Sequence, residues 1–241
     1  MDTRIFRSMS YGVYVAGTMD GDRPTGCIVN SIMQITSTPA TVAVSVNHDN
    51  YTNPCIAKSG LFSFSILAED SDPGLIGGFG FRSGKDVDKF DGVDYEMAAG
   101  CPVVKDSCGY VVCRVINTME TATHTVFLGE VIDGAVYEGS RKPMTYAYYH
   151  QVVKGKSPKN APTYLPEEDT SSEKPEIKQV VAAEQKAASD DRQKVGVEKA
   201  VGTPTRWKCQ ICGYVHEGEE LPENFHCPWC KQGAENFKKM D

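Results

Sequence analysis

Basic residues are in deficit: 25 lysines and arginines face 32 aspartates and glutamates, for a formal net charge of −7. A nucleic-acid binder needs a basic patch to meet phosphates, and none is found, so nucleic acid is not an expected partner. Long apolar runs are also missing. No stretch approaches the ~18 uninterrupted apolar residues of a membrane span. The opening residues, Met1-Asp2-Thr3-Arg4-Ile5-Phe6, have no basic segment followed by an apolar run and cleavage site. No secretory signal is read, and the cytoplasm is the expected compartment. The phosphate loop and the Gly-rich dinucleotide fingerprint are absent as well. Gly77-Gly78-Phe79-Gly80 is rich in glycine but lacks a strand–turn–helix context, and it reads as a flexible loop.

Cysteine is plentiful, with nine in 241 residues. Cys27, Cys55, Cys101, Cys108 and Cys113 are scattered and odd in number, so they form no self-contained disulfide framework and read as small buried hydrophobes. No partnering base identifies Cys27 or Cys101 as a nucleophile. The other four, Cys209, Cys212, Cys227 and Cys230, form two Cys-x-x-Cys pairs near the C-terminus.

Composition divides the chain into 1–166, 167–205 and 206–241. In the first region, runs such as Thr41–Val46 and Leu61–Leu67 alternate polar and apolar residues, as half-buried strands do. Tyr11–Thr18, Tyr110–Ile116 and Thr125–Ile132 are rich in β-branched and aromatic residues. Turn signals fall at Asp20-Gly21-Asp22, Ser71-Asp72-Pro73-Gly74, Asp91-Gly92 and Asp133-Gly134. The pattern predicts an antiparallel barrel or sandwich with helices starting near Asn53-Pro54 and Ser71-Asp72-Pro73. The middle region is rich in Lys, Glu, Asp, Ser, Ala and Pro, and it reads as a linker with a helical pattern around Ile177–Ala188. A flexible chain of ~40–50 residues spans on the order of 35–40 Å, which tethers two modules without fixing their geometry.

The last region is too short for a sizeable apolar core and needs a staple. Two Cys-x-x-Cys knuckles converge readily on one tetrahedral ion, with Gly213 where a knuckle needs close approach and Pro228 stiffening the second turn. Four thiolates suit zinc and iron alike. The segment WKCQICGYVHEGEELPENFHCPWCKQGAENF resembles a rubredoxin in the short-loop form that ends rubrerythrins. The resemblance implies a small, mainly irregular β domain and one redox-active iron on Cys209, Cys212, Cys227 and Cys230. A structural zinc ribbon is the alternative.

A second resemblance covers nearly all of residues 1–165. TGCIVNSIMQITSTPATVAVSVNHDNYTNPCIAKSGLFSFSIL at 25–67 is followed by FGFRSGKDVDKF at 79–90, HTVFLGEV at 124–131 and KGKSPKNAPTY at 154–164. Together they are similar to the flavin-reductase-like, FMN-binding split barrels. That family implies a mainly β fold with a few helices, FMN, hydride from NADH or NADPH, and a homodimer with flavin near the subunit interface. It places Cys27, Ile28, Val29, Asn30 and Ser31 under the polar edge of the flavin, with Gln34 and Thr36 in the next stretch. Asn47, Thr52 and Lys89 fall around the phosphate, and Arg82 and Ser83 help enclose the site. Tyr149, in an aromatic run, falls over the exposed flavin face. His124 matches a histidine at a strand start, but Thr123 replaces the acid that usually precedes it, which leaves the imidazole without its usual orienting partner. Bland alternatives stand beside each: Asn30 as a turn cap, Lys89 as a solvated charge, His124 as a structural histidine.

As a whole the chain resembles proteins in which such a barrel precedes a rubredoxin. The resemblance implies electron transfer from NAD(P)H through FMN to iron, and on to an acceptor such as a flavodiiron protein that reduces nitric oxide or oxygen. Two readings remain beside it. One is an NAD(P)H:flavin reductase with a zinc-bearing docking module, and the other is an FMN/iron carrier that does not itself oxidise NAD(P)H.

Overall fold

The structure, a computed structural model, describes residues 5–6, 9–139, 141–153, 155, 205–211, 214–222, 224–229 and 232–240. The stretch read as a linker therefore lies almost wholly outside the described residues, as do Cys212, Gly213 and Cys230 of the metal motif.

In chain order the elements are β1 (Tyr14–Asp20), β2 (Arg23–Val29), β3 (Ile32–Ser37), β4 (Ala40–Asn47), α1 (Thr52–Ser59), β5 (Leu61–Ile66), α2 (Pro73–Phe81), β6 (Tyr95–Ala98), β7 (Cys101–Val104), β8 (Gly109–Glu120), β9 (His124–Val136) and α3 (Tyr146–Gln151). Near the C-terminus follow β10 (Arg206–Cys209), β11 (Val215–Glu217) and β12 (Phe237–Met240). Among the described residues no helix is long and apolar enough to cross a membrane.

Seven strands form one sheet in the order β2-β1-β5-β8-β9-β4-β3. Its two end strands are consecutive in the chain, so the sheet must curl for the short 30–31 connection to join them. The Ser45 amide donates to the Ser31 carbonyl at 3.2 Å, and the Ser31 hydroxyl donates back to the Ser45 carbonyl at 3.2 Å. Inward side chains from both ends and the middle then fill one core: Cys27 and Val29, Val42, Val44 and Val46, Phe62 and Phe64, Phe127. This is a split barrel. Register shifts between Val112 and Cys113 and between Val115 and Asn117 bend the long β8–β9 pair, as extra residues in one strand do.

A second core lies under α2 and α3, where Val13, Val15 and Leu67 meet Leu75, Ile76, Phe79, Phe90 and Tyr149. The helix α2 starts where the sequence places it, with the Asp72 carboxylate accepting from the Gly74 amide at 2.8 Å and Pro73 in the first turn. Two turn readings need correction. Gly77-Gly78-Phe79-Gly80 is not a flexible loop but the C-terminal half of α2, held by packing against both the barrel and the C-terminal module. Asp133-Gly134 is not a turn. It lies inside β9, opposite Val112 and Val111.

The C-terminal module is a three-stranded sheet in the order β11-β10-β12. Its core is small and aromatic: Cys209, Cys227 and Phe237 are buried, with Trp207, Tyr214, Phe225 and Trp229 packed around them. The sequence reading has the linker tether the modules without fixing their geometry, yet Phe81 of α2 also packs in this cluster.

Candidate functional site

Cys27, near the end of β2, has its side chain buried, and Thr52 and Asn50 hydrogen-bond to its sulfur. Burial pushes the thiol's pKa up, so it is a neutral lining group and no thiolate nucleophile. Cys101 is likewise pushed up by burial, to about 12. Thr52 opens α1 and is buried, its amide donating to Asn50 Oδ1 at 3.1 Å. The loop that holds it is tied to β4, since the Asn50 amide donates to the Asn47 carbonyl at 3.1 Å and Asn47 Oδ1 accepts from the Asp49 amide at 2.8 Å.

The segment after α2 closes onto this group. A Cβ on Gly84 would lie 2.4 Å from Thr25 Oγ1, 3.1 Å from Tyr51 Cδ1 and 3.5 Å from Lys89 Cγ. Ser83 shapes the turn: its hydroxyl accepts from the Lys85 amide at 3.2 Å, and its carbonyl accepts from the amides of Asp86 and Val87. Thr25 Oγ1 is buried without a hydrogen-bond partner among the described residues. Such an orphan in a native fold asks for an explanation, and nothing in the sequence pattern singled it out.

Lys89 is buried, and its ammonium donates to the carbonyls of Gly78 at 2.7 Å, Phe79 at 3.1 Å and Arg82. All three donors thus satisfy the C-terminal end of α2. This lysine is neither a solvated charge nor a free donor for a phosphate. Burial, aided by the nearby Arg82 guanidinium, brings its pKa down to about 8. Among the described residues neither Arg82 nor Lys89 has an ion-pair partner, so two cations stand together without a carboxylate.

A second group adjoins the first through Asn47. His124 is the first residue of β9 and lies opposite Asn47 in the β4–β9 pairing. Its Nδ1 is 2.8 Å from the Thr123 hydroxyl, so the threonine that replaces the expected acid still gives the ring a partner. Burial, and then the proximity of His48, lowers its pKa. His48 itself pairs with Glu120 at 3.0 Å.

The remaining sequence candidates divide. Ile28 packs against α2, with its Cγ1 3.5 Å from where a Gly80 Cβ would lie, and Val29 points into the barrel core. Asn30 and Ser31 form the connection between the end strands. Gln34 and Thr36 lie apart, on the exposed edge strand β3, where Gln34 donates to the Thr36 carbonyl at 3.2 Å and the Thr36 hydroxyl meets that of Thr41 at 2.6 Å. Tyr149 is 4% exposed and belongs to the second core. It supports α2 from beneath instead of covering an open face. Asn50, Tyr51, Thr25 and Gly84 complete the first group and were not singled out from sequence, because their meeting depends on long-range closure of the barrel.

In the C-terminal module, Cys209 and Cys227 are fully buried side chains in the aromatic cluster. The Cys209 amide donates to the Tyr214 carbonyl at 2.8 Å, and the Cys227 amide donates to the Gln232 carbonyl at 2.8 Å. These bonds hold the backbone at each of the two described cysteines.

Comparison with known proteins agrees with this geometry. Residues 6–155 match the flavin reductase like domain, and residues 207–238 match the rubrerythrin, rubredoxin-like domain. A barrel of the first kind with a module of the second defines a flavin- and iron-bearing electron-transfer class. The chain belongs to the high-molecular-weight rubredoxin family: it is 35% identical over the full length of both chains to the high molecular weight rubredoxin of Moorella thermoacetica. It is also 37% identical to the ferric-chelate reductase (NAD(P)H) of Archaeoglobus fulgidus, over 68% of this chain and 98% of that one. Among solved structures, the NADH:FAD oxidoreductase of Streptomyces globisporus aligns with a TM-score of 0.55 at 26% identity, covering 59% of this chain and 84% of that one.

The residues present fit both implied groups. The orphaned Thr25 hydroxyl, the glycine-lined approach at Gly84 and the uncompensated Arg82–Lys89 pair suit an anionic, hydrogen-bonding ligand such as a flavin nucleotide. Two buried thiols in an aromatic shell suit a thiophilic ion.

Proposed function

We propose that this chain is an oxidoreductase that takes electrons from NADH or NADPH into FMN and passes them to an iron ion held by Cys209, Cys212, Cys227 and Cys230. The observation that carries the reading is the presence, on one polypeptide, of a flavin-reductase-like barrel and a rubredoxin-like module. When bound, the two groups together turn a two-electron hydride donor into a supply of single electrons. The chain's own residues bind and orient. Cys27, Asn30 and Ser31 would hold the flavin's polar edge, and Thr52, Ser83 and Arg82 would hold its phosphate. Lys89 contributes charge while bracing the end of α2. His124, held by Thr123 and kept neutral by burial, lines the approach of the nicotinamide. The iron module hands electrons to an acceptor protein such as a flavodiiron reductase of nitric oxide or oxygen.

A homodimer belongs to the same proposal. Met33 and Ile35 on edge strand β3 and Ile116 and Met119 on β8 are large apolar side chains left exposed. A second copy over this surface would cover them and bring Gln34 and Thr36 beside a flavin.

The test is anaerobic rapid mixing of the purified chain with NADH and NADPH, with metal analysis of the same sample. The flavin band should bleach first and the ferric band next. Zinc in place of iron, with flavin reduction intact, would favour a flavin reductase with a docking module. Flavin that neither nicotinamide reduces, but a reduced protein does, would favour a passive carrier.

The ionisation of Lys89 adds a pH prediction. Near pH 8 the buried amine is about half neutral, and a phosphate dianion nearby would recharge it. FMN binding should therefore take up a proton, and its affinity should fall as pH rises above 8, by at most about tenfold per unit. Riboflavin, lacking the phosphate, should show no such slope. Fluorescence titration of both ligands from pH 7 to 10 checks this, and identical slopes would remove the phosphate from the neighbourhood of Lys89.

A further inference from the structure

The glycines of α2 are poorly explained by the barrel alone. Gly74, Gly77, Gly78 and Gly80 fall within nine residues, and each glycine in a helix interior costs about 1 kcal/mol relative to alanine. What a Cβ would meet differs sharply among them. At Gly78 nothing lies within 4 Å, and at Gly80 the nearest atom, Ile28 Cγ1, is at an ordinary 3.5 Å. At Gly77 the three nearest atoms all belong to Trp229: its carbonyl oxygen at 1.8 Å, its carbonyl carbon at 2.1 Å and its Cα at 2.8 Å. Trp229 sits between Cys227 and Cys230 in the second metal knuckle. One turn further along α2, Phe81 is half-buried and packs against both the core under the helix and the aromatic cluster of the metal module.

We propose that the Gly77–Phe81 face of α2 is a docking seat for the metal module, with the second knuckle's main chain resting on Gly77 and Phe81 shared between the two cores. The seat's occupant is the module of residues 205–240 of this chain. Its position gives it a purpose. Close by, through Gly80, α2 packs against Ile28 of β2, in the segment assigned to the flavin edge, and its terminal carbonyls are held by Lys89 beside Arg82. Gly77 and Gly80, three residues apart, lie on neighbouring faces of one helix, so the knuckle and the strand assigned to the flavin edge meet the same short stretch of α2. The docked arrangement is the one in which electrons cross between the modules. That last clause rests on the flavin-to-iron reading, whereas the seat itself does not.

The test is a pair of single substitutions in the full, metal- and flavin-loaded chain. Gly77→Ala and Gly78→Ala are the same chemical change one residue apart, and each favours the helix. Only the first places a methyl group where Trp229 rests. Hydrogen–deuterium exchange reads docking without reference to electron transfer, and anaerobic rapid mixing with NADH reads the transfer. With Gly77→Ala, exchange should rise in residues 224–229 and on α2, and iron reduction should slow at least tenfold while flavin reduction keeps its rate. Gly78→Ala should change neither. Phe81→Ala should raise exchange at the same peptides. Unchanged exchange in Gly77→Ala would overturn the seat. Raised exchange with unchanged iron reduction would overturn its role in electron transfer. If iron in the parent chain is not reduced after the flavin, yet Gly77→Ala still raises exchange, the seat stands and the flavin-to-iron reading falls.

Discussion

Replacing Cys227 by serine is expected to strip the chain of its metal completely and to leave its flavin in place. Cys227 is fully buried beside Cys209 and the rings of Tyr214, Trp229 and Phe237. A serine hydroxyl there supplies no thiolate, and the site drops to three sulfur ligands. The module has little else to hold it. Its buried residues among those described are two cysteines and one phenylalanine, whereas structural metal sites in small domains contribute roughly 10–16 kcal/mol. The ferric absorption should vanish and the aromatic signals of Trp207 and Trp229 should lose their fixed environment. The barrel, with three apolar clusters of its own, should keep flavin at its original stoichiometry. Cys209→Ser should behave alike. Absorption spectra and metal analysis decide the matter, and loss of flavin along with iron would mean that the modules do not have separate cores.

The second large effect is expected at Lys89. Lys89→Ala removes the donors that satisfy the carbonyls of Gly78, Phe79 and Arg82 and leaves a space where three methylene groups and the ammonium were packed. Unsatisfied buried carbonyls cost about 1–3 kcal/mol each when water cannot reach them, and the cavity adds to that. Against this, burying the ammonium is itself unfavourable, as its lowered pKa shows. A net loss of about 2–4 kcal/mol is the expected balance. The pH dependence separates the two contributions. Folding lowers this group from about 10.4 in an unfolded chain to about 8. Between those values the unfolded chain holds the extra proton, so stability should rise with pH across the window. The difference between parent and variant should therefore widen from pH 8 to pH 10, on the order of 2–3 kcal/mol in all. Urea denaturation of both chains at several pH values measures it. A difference independent of pH would mean that Lys89 is not buried as described.

The parts of this fold that could be read from sequence are those whose burial pattern is local. Thr41–Val46 and Leu61–Leu67 alternate because one face of each strand fills the barrel, and both became strands with bounds close to those expected. β2 was not legible as a full strand, because Arg23-Pro24-Thr25-Gly26 carries two residues that ordinarily break strands. β3 is exposed along nearly its whole length, and β7 is a short continuous apolar run with proline. Neither offers a period to detect. The glycines of α2 argue against a helix on propensity alone, and only packing from two sides makes one. The four C-terminal cysteines are local in pairs, so their spacing is legible in the sequence. The first residue group is not local: Thr25, Cys27, Asn50, Thr52, Gly84 and Lys89 come from three separated segments, and the sequence reading named only Cys27, Thr52 and Lys89 among them. The hydrogen bonds of Lys89 to the carbonyls of α2 were not foreseen, since a charge in a sequence does not announce which carbonyls it will meet.

The sharing of Phe81 between two cores sets how the molecule comes apart. Among the described residues the modules share one phenyl ring and one main-chain approach, at Trp229, against three apolar clusters inside the barrel. Burial of such a ring is worth about 1.5–3 kcal/mol, less than a domain's whole stability. The C-terminal module is therefore a separate cooperative unit that can open while the barrel remains closed. Damage confined to that module therefore need not dismantle the rest of the protein.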